Sequence, residues 1–134
     1  MAAALFLFAA LAMAEPATPA TPAETDAALF DAAVGCAAYH VYSASTATPG
    51  TEPAKQSEDK AIMFLLASYA KMPQDKPEEA EAKIEESVKG LFEDAETVEP
   101  EKHKSEIEQL KQVCIAFEPA AIKIVEDAGY TDQK

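Results

Sequence analysis

Apolar residues recur at helical spacing along most of this chain, between short stretches rich in Ser, Thr, Pro and Gly. In the first such segment, two neighbouring apolar ridges run in parallel, one from Leu29 to His40 and the other from Phe30 to Val41. A face this wide is typical of a helix that is covered on several sides. The pattern therefore predicts a helix over residues 22–43 that lies at the centre of a bundle.

A second helix is predicted after a loop at residues 43–55, which contains Ser, Thr, Pro and Gly. Ser57 has the side chain of an N-cap, and Pro73 marks the end of the helix because proline cannot continue it. The apolar positions predicted to face the core are Ile62, Met63, Leu65, Leu66, Tyr69 and Met72.

A third helix is predicted from the segment Asp75 to Glu78, which has the form of a capping box with proline inside it. Two pairs of opposite charge at i,i+4 spacing, Glu79–Lys83 and Glu85–Lys89, are expected on its solvent side. Its apolar stripe, at spacings of three and four residues, consists of Ala80, Ile84, Val88, Leu91, Ala95 and Val98.

A fourth helix is predicted to begin near Pro100 and to be kinked or restarted by Pro119, which lacks an N–H and crowds the preceding turn. Gly129 is placed to end it as a left-handed C-cap. No segment alternates as a strand would, so the expected fold is a small all-α four-helix bundle over residues 24–129. The residues expected to face inward are Ile107, Leu110, Val113, Cys114, Phe117, Ile122, Ile124 and Val125.

The N-terminal residues have the pattern of an export signal. Residues 1–14 are almost entirely apolar and end in Ala-Met-Ala, which fits a signal peptide cleaved before Glu15. This run is shorter than the roughly 20 residues that a membrane-spanning helix needs, so no transmembrane helix is expected in the mature chain. Residues 15–23 repeat Thr-Pro-Ala and predict an extended tether, and 130–134 form a short tail. The predicted location is the periplasm or the extracellular space.

The chain contains two cysteines, Cys36 on the first predicted helix and Cys114 on the last. Each lies on an apolar stripe, and an even cysteine count in an exported chain favours a disulfide. The bond would make the first and last helices neighbours. It would stabilise the domain by roughly 4–5 kcal/mol on a chain-entropy model.

A metal site is the alternative use of the same residues. His40 follows Cys36 by one helical turn, and Glu118 follows Cys114 by one turn. With reduced thiols, two facing helices would present Cys36, His40, Cys114 and Glu118, a set that suits tetrahedral zinc. A Cys/His metal-binding carrier is therefore an alternative hypothesis, whereas the disulfide interpretation requires no cofactor.

Charge limits the possible partners. The formal net charge is −13, from 24 acidic against 11 basic residues, and every basic residue other than histidine is a lysine. Nucleic acid is not expected as a partner because phosphate binding requires clustered positive charge. Glu99, His103 and Glu106 are spaced to share one face near the start of the fourth helix, as ligands of a carboxylate-bridged iron site would be, but they are interpreted as solvated surface residues. The chain has no nucleophile elbow, phosphate loop or dinucleotide motif, and we expect no enzymatic activity.

Small size, export, an all-helical fold and one long-range disulfide together resemble in outline the periplasmic acid-stress chaperones of the HdeA type. The resemblance gains a mechanism from the charge of the chain, because at low pH the carboxylates would be neutralised while the lysines stay charged, and self-repulsion would loosen the bundle and expose apolar faces to client proteins. It carries no residue motif, so no site residues follow from it. The main prediction is a non-catalytic binding or scaffolding protein with a protein partner, as a monomer or homodimer; the chaperone and the metal carrier are alternatives.

Overall fold

The computed structural model describes residues 22–72 and 76–130. Within these two ranges the protein is built from four α-helices without a β-strand, which confirms the predicted all-α fold. No helix of the described ranges is long and apolar enough to cross a membrane. The predicted signal peptide, the tether up to residue 21 and the tail from residue 131 lie outside these ranges. The helices are α1 (Pro22–Thr46), α2 (Glu52–Lys71), α3 (Pro77–Thr97) and α4 (Pro100–Asp127).

Helix α1 is the centre of the bundle, as its wide apolar face predicts, because its contacts with the other three helices are together the most extensive of any helix. Its contact with α2 is the most extensive in the molecule, and the two form a hairpin across residues 47–51. Gly50 in this connection has a φ of 80°, which glycine adopts without steric cost. The buried residues of α1 are Phe30, Ala33, Val34, Cys36, Ala37, Ala38 and Tyr39.

One predicted helix start is wrong. Helix α2 begins at Glu52 with Thr51 as its N-cap, so Ser57 lies inside the helix and the predicted loop is reduced to residues 47–51. Pro53 does not delay the helix because a first-turn residue needs no intrahelical N–H. Helix α3 begins at Pro77 with Lys76 as its N-cap and without a side-chain capping bond. Asp75, the first residue of the capping box predicted here, lies outside the described residues, so that box stays a prediction.

Helix α4 is a single helix of 28 residues, so Pro119 does not break it. Pro119 is exposed, and the bond that it removes would have been accepted by the carbonyl of Ile115, four residues earlier. Gly129 follows the end of α4 with a φ of 83°, which confirms the predicted left-handed stop.

Several apolar side chains do not lie where the stripes predict. Ile62 of α2 and Val113 and Ile122 of α4 are 56%, 57% and 41% exposed. Phe64, which the predicted stripe of α2 omits, is completely buried and is the largest fully buried side chain in the described residues. The buried face of α2 is therefore rotated about the helix axis relative to the predicted one.

Candidate functional site

A disulfide between Cys36 and Cys114 joins α1 to α4, which confirms the predicted pairing and makes the first and last helices neighbours. The Cα atoms of the two residues are 5.5 Å apart, and both side chains are buried. Since the chain has no other cysteine, no thiol remains free.

Three aromatic rings stack one turn away from the disulfide. The ring of His40 lies parallel to that of Phe64, with centroids 5.4 Å apart, and Phe64 stacks in turn on Phe117 at 6.0 Å. The rings come from α1, α2 and α4, so the stack joins the three helices at one level. The Nδ1 atom of His40 is buried in this contact without a hydrogen-bond partner among the described residues.

An ion pair lies beside the ring stack. Lys60 Nζ donates a hydrogen bond to Glu118 Oε1 at 3.1 Å, which links α2 to α4. Burial lowers the pKa of His40 below its ordinary value of 6.5; the positive charge of Lys60 lowers it further, and the carboxylate of Glu118 opposes the shift. These effects favour the neutral imidazole.

The four candidate metal ligands are divided between these contacts. Cys36 and Cys114 bond to each other, and Glu118 pairs with Lys60, while His40 is held in the ring stack. Within residues 22–72 and 76–130, no three His, Cys, Asp or Glu side chains are arranged so that they could hold a metal ion. The carrier hypothesis would require a reduced protein with rearranged side chains.

The second histidine is also part of a helix contact. The hydroxyl of Tyr42 lies 3.1 Å from His103 Nε2, and the Tyr42 ring packs on Phe92 with centroids 4.8 Å apart. Helices α1, α3 and α4 meet at this point. His103 is therefore half-buried, which corrects its interpretation as a surface residue, whereas Glu99 and Glu106 are exposed as expected.

An open groove of about 690 Å³ lies between α1, α2 and α3. Four apolar side chains from these helices form its floor: Val41, Leu65, Ile84 and Val88. Exposed residues of α3 form its rim: Glu81, Ala82, Glu85, Glu86 and Lys89. We call this surface the α3 groove.

The groove is open because only the first part of α3 is buried. Ala80 and Ile84 are buried, but Val88 and Leu91 are half-buried and Ala95 is exposed. Full burial of the stripe predicted along α3 therefore ends at Ile84, although Val88 still packs against the core. Further along the helix, the ring of Phe92 reaches Tyr42 while remaining partly exposed.

The rim of the groove is acidic. The Tyr69 hydroxyl donates a hydrogen bond to Glu81, and burial together with this bond raises the pKa of Tyr69 to about 12. The predicted Glu85–Lys89 pair is not formed, and neither Glu85 nor Glu86 has an ion-pair partner in the part of the chain that the structure describes. Three carboxylates and one ammonium group, on Lys89, thus lie along the α3 edge of the apolar floor.

The disulfide was predictable from the sequence, whereas the groove was not predicted. Its floor combines residues of three helices, and only their packing brings these residues together. The sequence does contain one sign of the acidic rim, namely the glutamates on either side of Ile84. Comparison of the chain with protein-family models, with curated proteins and with solved structures found no match.

Proposed function

We propose that this chain is an exported, non-catalytic binding protein and that its ligand binds in the α3 groove. The observation that carries the proposal is the groove itself: an apolar concavity of about 690 Å³ with charged side chains at its edge. Ligand-binding clefts commonly have volumes of about 300–1,000 Å³ and combine an apolar lining with a few polar groups.

The position of the groove in the fold supports this role. Its floor includes Val41 of α1 and Leu65 of α2, which belong to the hairpin with the most extensive helix contact in the molecule. This part of the floor is held in place before a ligand arrives, and preorganisation reduces the entropic cost of binding. Apolar surface left in contact with water provides the driving force for covering it.

The disulfide supports the proposed export because such bonds persist in oxidising compartments. Intact-mass measurement of the protein from its native source tests this part of the proposal. We expect a chain that begins at Glu15 and gains two hydrogens on reduction. A full-length chain with free thiols would contradict export.

Binding of a neutral apolar dye such as Nile red tests the groove. Ala82 is an exposed rim residue, so Ala82→Trp should fill the groove without disturbing the core. We expect this substitution to weaken dye binding at least tenfold while the circular dichroism spectrum is unchanged.

Ala95→Trp is the matched control, since Ala95 is also an exposed alanine of α3 but does not line the groove. It should bind the dye as the unmodified protein does. Dye binding that is absent, or that is equal in the two tryptophan variants, would show that the groove is not the binding site.

A further inference from the structure

We infer that the ligand of the α3 groove is a basic amphipathic helix of a partner protein. This inference rests on the proposed function and adds the chemical class of the ligand. It follows from three features of the groove, namely the apolar floor, the length of the rim and the charge of the rim.

The floor and the rim match the dimensions of a short helical segment. The rim residues extend from Glu81 to Lys89, a distance of about 12 Å along α3 at 1.5 Å per residue. Two turns of an incoming helix cover the same length. Such a helix would place apolar side chains at i and i+3 or i+4 on the floor, which is how amphipathic helices bind in apolar grooves.

The rim selects for a positively charged partner. Glu81 already accepts the hydrogen bond of Tyr69, but the carboxylates of Glu85 and Glu86 are exposed and have no ion pair with any described residue. Lysine or arginine side chains beside the apolar anchors of an incoming helix would lie next to these carboxylates. Complementary charge of this kind increases the association rate and sets the orientation of a partner.

A second cavity of the protein lacks this charge preference. It has a volume of about 270 Å³ and lies between the start of α1, the end of α2 and the start of α3. Asp31 and Glu79 line it together with Lys76 and Lys83, so its acidic and basic groups balance. The groove therefore differs from this cavity in charge as well as in size, and the net charge of −13 adds attraction for a cationic partner over longer distances.

The test uses a synthetic, fluorescently labelled peptide of about 18 residues, long enough to form a helix, with leucine on one face and lysine on the other. One comparison peptide has glutamate in place of lysine, and another has the same leucines and lysines in an order without helical periodicity. Fluorescence anisotropy measures binding of each peptide to the full chain. We expect the leucine–lysine helix to bind and each comparison peptide to bind at least tenfold more weakly.

Two sets of variants locate the binding. Ala82→Trp should weaken binding of the leucine–lysine helix at least tenfold, whereas Ala95→Trp should not change it. The double substitution Glu85→Gln/Glu86→Gln should weaken it about threefold to tenfold, as expected for the loss of two exposed charge contacts. Its matched control is Glu93→Gln/Glu96→Gln, which removes two exposed carboxylates of α3 outside the groove and should have no effect.

Competition between the peptide and Nile red separates this inference from the proposed function. Dye that binds the groove and is displaced by the leucine–lysine helix supports both. Dye that binds in an Ala82-dependent manner but is not displaced would overturn the inference and leave the proposed function standing; absence of both dye and peptide binding would overturn both. If the leucine–lysine helix and the peptide with the same residues in a non-helical order bind equally, the protein attracts positive charge without recognising a helix. That result would also overturn the inference.

Discussion

The two sides of the α1–α2 hairpin are packed in different ways. On the side of α4, a disulfide, a stack of three rings and the Lys60–Glu118 ion pair connect the helices. On the side of α3, an open groove remains, and its rim carries carboxylates without ion pairs among the described residues. We call the covalently joined side the closed side and the groove side the open side, although Val113, Ile115 and Ile122 of α4 are also exposed.

Similar sequence patterns lead to these different outcomes. Both α3 and α4 carry an apolar stripe at helical spacing. In α4, buried residues continue as far as Val125, near the end of the helix, although Val113 and Ile122 of its stripe are exposed, whereas in α3 burial ends at Ile84. An apolar stripe therefore predicts which face of a helix avoids water, but not whether the same chain supplies a surface that covers it.

Removal of the disulfide should have the largest effect. Its sequence separation of 78 corresponds to a loss of roughly 4–5 kcal/mol in the free energy of unfolding on a chain-entropy model. Urea unfolding of the oxidised protein, the reduced protein and the double variant Cys36→Ala/Cys114→Ala measures this loss. A difference below about 1 kcal/mol would contradict it.

Hydrogen exchange after reduction shows whether the two sides are independent. We expect exchange to increase most in α4, because α4 loses its covalent link to α1, and less in α3. An equal increase in both helices would mean that the closed and open sides unfold as a single unit.

The same substitution on the two sides should lower the free energy of unfolding by unequal amounts. Val125 of α4 is buried, whereas Val88 of α3 is half-buried in the groove. We expect Val125→Ala to lower the free energy of unfolding by about 2 kcal/mol and Val88→Ala by less than about 1 kcal/mol, because burial of apolar surface sets the loss. Urea titration of both variants measures the difference, and equal losses would show that the groove floor is packed as tightly as the core.

The smallest expected effect is a pH dependence on the closed side. The pKa of His40 is lowered by burial and by Lys60 of α2, against the opposing charge of Glu118 of α4. The unfolded chain therefore binds a proton more readily than the folded protein does. The stability that neutral His40 contributes is present above the unfolded pKa of about 6.5 and is lost as the pH falls from there towards the lowered folded pKa.

His40→Leu removes this titration, so the variant should lose less stability than the unmodified protein between pH 7 and pH 5. Lys60→Met should also reduce the dependence, because it removes one cause of the lowered pKa of His40. Urea unfolding across this pH range measures both effects. If the free energy of unfolding falls equally with pH in all three proteins, groups other than His40 cause the acid response.

The number and order of the helices could be predicted from the sequence, but the buried face of α2 could not. Residues 62–66 are five consecutive apolar residues, so their periodicity does not define one face. Contact with the rings of His40 and Phe117 buries Phe64, and Ile62 is consequently turned towards solvent. Tertiary packing therefore decides a choice that the local pattern leaves open.

The prolines show a second limit of the sequence pattern. Pro53 lies in the predicted loop, yet α2 includes it. Of the kink or restart predicted at Pro119, the structure excludes the restart, because α4 continues through this residue. A proline in the first turn removes no intrahelical bond. At Pro119, packing of Cys114 and Ala121 on either side holds the helix against the core despite the missing bond.

The candidate site was predictable in part. The disulfide could be predicted from the position of two cysteines on apolar stripes. The groove depends on the position along α3 beyond which this helix is no longer buried against the α1–α2 hairpin. The Glu85–Lys89 spacing indicated a local ion pair, but exposed pairs of this kind contribute little and do not hold the side chains together.

The bond between Cys36 and Cys114 also determines how the molecule transmits mechanical force. It closes a covalent ring that contains all of α2 and α3 and every residue lining the groove. Tension applied to the chain on either side of this ring passes directly through the two sulfur atoms, so the segment between them is shielded from the pull. The groove can therefore remain assembled while the flanking segments are stretched, and a single backbone cut in residues 47–51 would leave both fragments joined.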